Sequence, residues 1–211
     1  YVSSRMTVGV KSNSNASAFV HGGSLYVTNA AHSAVTELRY GTLMLTGGVF
    51  ATDSLLVTNP SGSFINNGGT FIITGQAQVD QGTQIVAGGT TQVSSNFVIG
   101  STASSTGTVN VTGGTLVVTN GVLGVGNNGA LTNGSGTGFL TVSNGTLIAS
   151  RILLGSSVGG EGTLTVQPGG VVTAPAGCTN CFINANLIIW AGGAISMPNG
   201  TLYAGQTRPG S

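Results

Sequence analysis

A short unit recurs along nearly the whole chain: Gly, then Thr or another small residue, then apolar residues at alternate positions. Two clear copies are Gly107-Thr108-Val109-Asn110-Val111 and Gly162-Thr163-Leu164-Thr165-Val166. Side chains of a β-strand point alternately to its two faces, so the Leu and Val residues of each copy face a core and the Thr residues face water. Similar copies start 18 to 38 residues apart. Self-similarity at roughly 20–50 residues is typical of solenoids, propellers and arrays.

The content of one repeat decides between these architectures. Each repeat holds three short apolar runs and no helical pattern, which excludes leucine-rich and helical repeats. A propeller blade needs about 40 residues, and propellers are richer in aromatic side chains than the 6% found in this chain. We therefore predict an all-β fold, a single-stranded right-handed parallel β-helix of about seven or eight rungs with no significant helix. A rung is one turn of the chain through three strands. The predicted inward residues are Leu43, Leu45, Leu116, Val118, Leu140, Val142, Leu164 and Val166.

The frequent glycines leave few windows of the roughly 12 residues that even a marginal helix needs. One segment, residues 30–40, fits either a helix or a strand. Thr36, Leu38 and Tyr40 share one face if the segment is extended. We predict a strand here because the surrounding sequence is β.

Strands often end in Val, a hydroxyl residue and Asn. Asn tolerates the left-handed backbone conformation and hydrogen-bonds its own turn. Asn residues at equivalent corners of successive rungs would form a hydrogen-bonded ladder, which we predict. The triplets end at Asn29, Asn59, Asn120 and Asn144.

The composition excludes several classes of function. Charged residues make up 4% of the chain, the net charge is +1, and no Lys/Arg cluster offers a surface for nucleic acid. Apolar residues make up 40% and are regularly placed, unlike those of a disordered chain. No apolar run approaches the ~20 residues of a membrane span. A surface of Thr, Ser, Asn and Gly predicts an extracellular or cell-surface protein.

The chain resembles the repeat-rich parallel β-helix segments of bacterial secreted proteins, namely autotransporter passengers and proteins with autotransporter-associated strand repeats. The resemblance covers about residues 23–205 and rests on the Gly-Thr-Leu-x-Val, Gly-Gly and Val-Thr-Asn elements. It implies a secreted or surface-displayed β-helix with an adhesive or structural role.

Catalysis is not expected. Glycoside hydrolysis needs two carboxylates roughly 5–9.5 Å apart, and of the four present only Asp53 and Asp80, 27 residues apart, could stack on one face. His21 and His32 have no nucleophile elbow beside them. We predict that the protein is not an enzyme and has no cofactor, no metal site and no catalytic residue.

Two local motifs remain. Cys178 and Cys181 form a Cys-x-x-Cys pair, which we interpret as a disulfide that closes one loop, with a free dithiol as the alternative. The long insertion 126–137 is predicted to bulge from the rungs, and its Asn133 is a possible glycosylation site.

The ends of the sequence suggest self-assembly. Residues 1–20 read as a strand followed by a polar link that could be exchanged with a neighbouring subunit, and residues 21–211 as the β-helix. Soluble repeat proteins cover their terminal rungs with polar caps, and this chain offers no such cap. The alternative is that its ends continue into further residues of a longer protein. The predicted assembly residues are Val2, Met6, Val8, Val10, Leu187, Ile189, Trp190, Leu202 and Tyr203.

These features predict an extracellular structural protein whose copies join head to tail in a fibre or surface coat. The predicted partner is therefore the protein itself. The alternative is an adhesin or glycan-binding β-helix that contacts a cell-surface or matrix polysaccharide through its Thr/Asn faces and the 126–137 loop.

Overall fold

The computed structural model of the chain describes residues 1–129, 134–175 and 186–204. These residues form twenty β-strands and no helix. The strands are β1 (Arg5–Val8), β2 (Ala16–Val20), β3 (Ser24–Val27), β4 (Val35–Leu38), β5 (Gly41–Leu45), β6 (Val49–Thr52), β7 (Ser54–Ile73), β8 (Ala77–Val93), β9 (Phe97–Ile99), β10 (Thr106–Val111), β11 (Thr115–Val118), β12 (Leu123–Val125), β13 (Thr137–Val142), β14 (Thr146–Ala149), β15 (Ile152–Leu154), β16 (Glu161–Val166), β17 (Val171–Ala174), β18 (Leu187–Ile189), β19 (Gly193–Ser196) and β20 (Thr201–Ala204).

All of the strand pairs are parallel, and they fall into three series. The first series runs β1, β4, β7, β8, β9, β12, β15, β18. The second runs β2, β5, β7, β8, β10, β13, β16, β19. The third runs β3, β6, β7, β8, β11, β14, β17, β20.

The long strands β7 and β8 contribute to all three series because they continue around the corners, where their register shifts. The result is a single, nearly closed, barrel-like sheet of parallel strands. This all-β architecture is consistent with the expected β-helix. We name the connections between strands as corners. A first corner leads from the first series to the second, and a second corner leads from the second series to the third. A third corner leads from the third series to the next strand of the first series.

The core is built from the inward side chains, which stack from strand to strand within each series. The eight inward residues predicted from the repeat are all buried, which confirms that prediction. Phe64 and Phe71 extend the core in β7, with ring centroids 4.3 Å apart, and Phe50 lies 4.8 Å from Phe71. Each fully buried Leu, Val or Phe contributes about 1.5–3 kcal/mol, so burial is the main source of stability in a chain with so few charges.

Two columns of glycine explain the recurring Gly of the sequence. One column stands at the start of the second series, where an added Cβ would meet backbone atoms of the preceding turn of the chain. At Gly138 it would lie 2.4 Å from the carbonyl oxygen of Ile99. The other column stands immediately before the strands of the third series. The first column comprises Gly41, Gly62, Gly82, Gly107, Gly138, Gly162 and Gly193, and the second comprises Gly23, Gly48, Gly69, Gly89, Gly114, Gly145, Gly170 and Gly200.

The first corner after β12 folds back over the outer side of that strand, where a Cβ at Gly124 would lie 2.6 Å from the carbonyl oxygen of Asn127. Val98 and Leu153 occupy outward positions in β9 and β15 and yet are fully buried. Asn127 is also buried: it donates from Nδ2 to the carbonyl of Gly155 at 2.9 Å and accepts the N–H of Gly129 at 2.9 Å. The described parts of the 126–137 insertion therefore pack onto the sheet instead of bulging from it.

Two local predictions have opposite outcomes. Residues 35–38 of the ambiguous segment form strand β4, as predicted. The Asn ladder is wrong: Asn29 and Asn120 lie at third corners that are not adjacent, Asn59 at a first corner and Asn144 at a second corner. The Val-hydroxyl-Asn triplet ends strands of every series, so it does not mark one column.

Residues 1–20 belong to the same sheet as the rest of the chain. β1 pairs with β4 and β2 with β5 of the same chain. Their exchange between copies stays a prediction.

Candidate functional site

The predicted N-terminal assembly residues surround the first strand of the first series. Met6 is half-buried and inward, opposite Thr36, and Val8 is buried. Val2 donates its backbone N–H to the carbonyl of Tyr26 at 2.8 Å and bridges to Val27. Val10, just past β1, is exposed. The four residues are thus not equivalent: only Val10 is exposed, and Val2, Met6 and Val8 are half-buried or buried.

The predicted C-terminal assembly residues lie on the last strands of the first and third series. Leu187 and Leu202 face inward opposite Ile152 and Val172, yet they are only half-buried. Ile189 is 51% exposed and Tyr203 61% exposed. Trp190 donates its backbone N–H to Leu154 at 2.9 Å, and its indole Nε1 is buried without a hydrogen-bond partner. The two predicted groups lie at opposite ends of the sheet and do not meet within one chain.

The two ends of the third series resemble each other residue by residue. β3 reads Ser24-Leu25-Tyr26-Val27, and β20 reads Thr201-Leu202-Tyr203-Ala204. The pairings along the third series place Ser24 and Thr201 at equivalent positions. Both strands therefore present a half-buried inward Leu and an exposed outward Tyr; Tyr26 is 42% exposed. The sequence alone did not reveal this match, because the registers of the intervening strands are needed to align the two.

Asp53 is a buried carboxylate at the third corner between β6 and β7. It accepts the backbone N–H groups of Asn29 at 3.0 Å and Ala34 at 3.1 Å and the hydroxyl of Thr74 at 3.0 Å. Burial raises the pKa of this carboxyl, but the hydrogen bonds from Asn29, Ala34, Thr74 and His32 outweigh burial, and the pKa is lowered overall. Asp53 thus ties three successive third corners together.

Asp80 lies at a different place, the first corner within β8. It accepts the backbone N–H of Ser101 at 2.9 Å and the hydroxyl of Ser101 at 2.8 Å, and it also binds Gln78 Nε2. The expectation that Asp53 and Asp80 stack on one face is therefore wrong. The repeat length varies from rung to rung, so a separation of 27 residues does not keep two side chains in one column.

Within the described residues, Glu37 forms ion pairs with two arginines. It bonds Arg39 Nε at 2.8 Å and Arg5 Nη1 at 3.3 Å. The hydrogen bond and the charge of Glu37 raise the pKa of Arg39. Both Arg side chains are 40–50% exposed, so these pairs contribute little to stability.

The two histidines lie at different corners of the sheet. His32 Nδ1 lies 3.6 Å from Asp53 Oδ1 at an exposed third corner. His21 Nδ1 lies 2.8 Å from the Thr46 hydroxyl, and its ring stacks on Phe19 with centroids 5.6 Å apart. Phe19 is 55% exposed, so this pair forms a flat aromatic surface on the outer side of the second series.

Two buried polar side chains were missed by sequence reasoning. Gln84 is fully buried, and neither its amide oxygen nor its amide nitrogen has a partner. Arg151 is buried with its Nε and Nη2 unpaired. In the repeat Gly82-Thr83-Gln84-Ile85-Val86, Gln84 takes the position that Val109 fills in the paired strand β10. A polar residue at an apolar position of the repeat is the signal that could have identified Gln84 from the sequence.

Three predicted site residues, Cys178, Cys181 and Asn133, lie outside the described residues. Within residues 1–129, 134–175 and 186–204, no three or more His, Cys, Asp or Glu side chains come together in a way that could hold a metal ion. The same ranges contain no helix with the length and apolar character to cross a bilayer.

These observations place the protein in the all-β class. Its strands form a parallel, barrel-like sheet, and its apolar side chains form long inward stacks. No model of a known protein family, no curated protein and no solved structure matches the chain. Its function therefore has to be inferred from its own residues.

Proposed function

We propose that the protein is an extracellular structural subunit whose copies join head to tail in a β-helical fibre or surface coat. The observation that carries this proposal is the match between β3 and β20. The first and last strands of the third series have the same inward Leu and the same outward Tyr at equivalent positions. Because β-strands pair through their backbone groups, a strand edge can recruit another chain by strand addition.

We infer that the sheet is a right-handed β-helix of eight rungs, each rung taking one strand from each series. The hand follows the strong preference of parallel crossovers. In a head-to-tail contact of two such helices, Val2 leaves the edge of β3 that it bridges at Val27. β3 of one copy then continues the third series after β20 of another. Leu25 then covers the half-buried Leu202, and Tyr26 lies beside Tyr203. The two contacting surfaces differ, so the contact does not close and it propagates as a filament.

An extracellular location is supported by the hydroxyl-rich, weakly charged surface and by the resemblance to autotransporter passengers.

Residues 1–20 offer a second route to head-to-tail assembly. If β1 leaves β4 of its own chain, it can add to the open end of a neighbour while the polar residues after Val10 tether it to its own copy. The disulfide of Cys178 and Cys181 and a glycan on Asn133 belong to the same extracellular proposal.

The proposal is tested by analytical ultracentrifugation and negative-stain electron microscopy of the chain over a range of concentrations. We expect filaments with the width of one β-helix. The variant Leu202→Lys places a charge in the contact and should prevent them, whereas Thr163→Lys, on the outer face of β16, should leave them intact. Deleting residues 1–10 should also abolish filaments and leave a folded β monomer. A wild-type chain that stays monodisperse at high concentration would refute the proposal.

A second candidate, the glycan-binding adhesin, is favoured by one observation. The exposed ring of Phe19 stacks on His21, which Thr46 holds in place. Flat aromatic rings flanked by hydroxyl groups suit the apolar face of a sugar. Binding on a glycan array that is lost in Phe19→Ala, by a protein that remains monomeric, would favour the adhesin over the fibre.

A further inference from the structure

A recessed first corner in the N-terminal part of the sheet forms two cavities. The corner between β1 and β2 has seven residues, 9–15, whereas the corner between β4 and β5 has only two, Arg39 and Tyr40. In the next strand, β7 turns the same corner through residues 58–62. The two-residue corner therefore lies recessed between two longer ones, and Tyr40 is common to the lining of both cavities.

The smaller cavity lies on the side of the second series and has a volume of about 160 Å³. Hydroxyl and amide side chains line it, among them Ser12, Asn15, Ser17, Thr42 and Ser61. Each of these groups can both donate and accept hydrogen bonds. The lining therefore suits a ligand that carries many hydroxyl groups.

The larger cavity lies on the side of the first series and has a volume of about 420 Å³, within the range of roughly 300–1,000 Å³ for small-molecule sites. Its polar lining consists of Thr58, Asn59 and the ion pair of Glu37 with Arg39. The Asn59 amide is held in place because its Oδ1 accepts the backbone N–H of Ser61 at 3.0 Å. The two charges of the ion pair neutralise each other, so this cavity favours a neutral polar ligand over an ion.

Backbone contacts fix the shape of the recess in the free protein. Tyr40 donates its backbone N–H to the carbonyl of Gly9 at 3.1 Å. Ser14 closes the turn within residues 9–15, because its N–H and its hydroxyl both donate to the carbonyl of Lys11, at 2.9 and 2.6 Å. A recess that is formed in advance loses less conformational entropy when a ligand binds.

A short chain of sugar units suits this combination of groups. Sugar hydroxyls donate and accept hydrogen bonds, as the hydroxyl and amide side chains of both cavities do. Tyr40 offers a flat apolar ring with a polar tip, on which the apolar face of a sugar ring can pack. An apolar ligand would instead leave the polar groups of both cavities without partners.

We propose that the recess around Tyr40 binds a neutral oligosaccharide, with one sugar unit in each cavity and the Tyr40 side chain between them. The bound chain follows the corner from the first series to the second, where Ser17 and Thr42 are paired residues of β2 and β5. The ligand class is that of the second candidate function, but this site rests on residues other than Phe19 and His21. It also does not require head-to-tail assembly.

The test is the binding of neutral mono- to hexasaccharides, first on a glycan array and then by isothermal titration calorimetry, at a protein concentration at which ultracentrifugation shows a monomer. We expect disaccharides to bind more tightly than monosaccharides, because they fill both cavities. Tyr40→Ala should weaken binding about tenfold or more. Ser61→Arg fills the smaller cavity from an exposed position and should have at least as large an effect. Tyr26→Ala, which removes an exposed tyrosine outside the recess, is the control and should bind like the wild type.

Three results would overturn the proposal. The first is that no saccharide of the panel binds, and the second is that Ser61→Arg binds as tightly as the wild type. The second comparison holds even if Tyr40→Ala does not fold, because Ser61 is exposed and outside the core. The third is loss of binding in Phe19→Ala alone, which would assign the glycan site to the Phe19–His21 pair. Since all measurements are made on the monomer, failure of this site and failure of the fibre are distinguishable.

Discussion

At the scale of single residues, the interior of this protein contains some polar side chains that are fully paired and others that are not. Asp53 is buried, and its two oxygens accept hydrogen bonds from the third corners before and after its own. Gln84 is equally buried, and its amide has no partner. The free energy of burying a polar group depends on its partners, so we expect substitutions at these two positions to have opposite effects.

Asp53→Asn should destabilise the fold by about 1–3 kcal/mol, because an amide cannot accept all of these hydrogen bonds and leaves buried donors unpaired. Chemical denaturation at neutral pH measures the loss. Glu161→Gln, at an exposed carboxylate, is the control and should change stability by less than about 0.5 kcal/mol.

The same carboxylate predicts a pH dependence. The folded-state pKa of Asp53 lies below its ordinary value of 3.8, so its contribution is fully present above that value and is lost as pH falls through the lower, folded-state pKa. The wild type should therefore lose stability more steeply than Asp53→Asn as the pH is lowered below about 4. Parallel stability curves for the two proteins in acid would contradict this assignment.

Gln84→Met should stabilise the protein by about 1–3 kcal/mol, because an unbranched apolar side chain of similar size removes two unpaired buried polar atoms. Gln92→Met is the matched control, since Gln92 is exposed on the outer side of β8. Differential scanning calorimetry of the two variants decides the point. A lower midpoint for Gln84→Met would mean that the amide makes hydrogen bonds in solution.

At the scale of the elements, the glycine columns allow successive strands to approach each other at the corners. A Cβ at position 138 would lie 2.4 Å from the Ile99 carbonyl oxygen and 2.5 Å from the Gly126 nitrogen, and both are backbone atoms that cannot move aside. The close approach of the start of β13 to the end of β9 and to the first corner at Gly126 therefore requires glycine at this position.

Gly138→Ala should cost about 1–3 kcal/mol, as expected when a methyl group is forced into a filled space. Gly22→Ala is the control, because a Cβ there would meet no atom within 4 Å. The difference in free energy of unfolding between the two variants measures the steric effect. Equal stabilities would show that the first corner adjusts more easily than its geometry indicates.

The elements also show what the sequence could and could not predict. Alternation within Gly-Thr-Leu-Thr-Val identifies the inward Leu164 and Val166, because a strand has a fixed period of two. The series to which a strand belongs cannot be read in this way. The same Gly-Thr unit starts strands of the second series at Gly107 and of the third at Gly69, and first corners of different length separate them.

The candidate sites were less predictable than the strands. The N-terminal and C-terminal apolar residues could be named from the sequence, but the equivalence of Tyr26 and Tyr203 depends on the registers of all the strands between them. The partners of Asp53 come from corners 19 to 24 residues away, at separations that no local motif reveals. Arg151 gives no signal at all in the sequence, because only burial distinguishes it from a solvent-exposed charge.

At the scale of the whole molecule, contacts between strands are made almost entirely with the preceding and following strand of the same series. A solenoid built in this way has a stability that is roughly the sum of its rungs and their interfaces. A closed barrel does not, because each strand is needed to complete the ring.

Removing residues 187–211, which include β18, β19 and β20, should therefore leave a folded protein. We expect the strand signal in far-UV circular dichroism to persist, with a thermal midpoint only a few degrees lower, because the interfaces among the remaining rungs are intact. Loss of the strand signal would exclude a solenoid with independent rungs.

The pairing of each strand with neighbours 19 to 35 residues away in sequence also has a mechanical consequence. A pulling force on the two ends of the chain loads only the terminal strands, so the sheet should unwind from its ends, one rung at a time. Each event would release roughly 60–130 Å of contour length, from about 3.3–3.6 Å per extended residue. A chain of this design would lengthen in steps under load and act as a shock absorber, with most of its length still folded after the first rung has yielded.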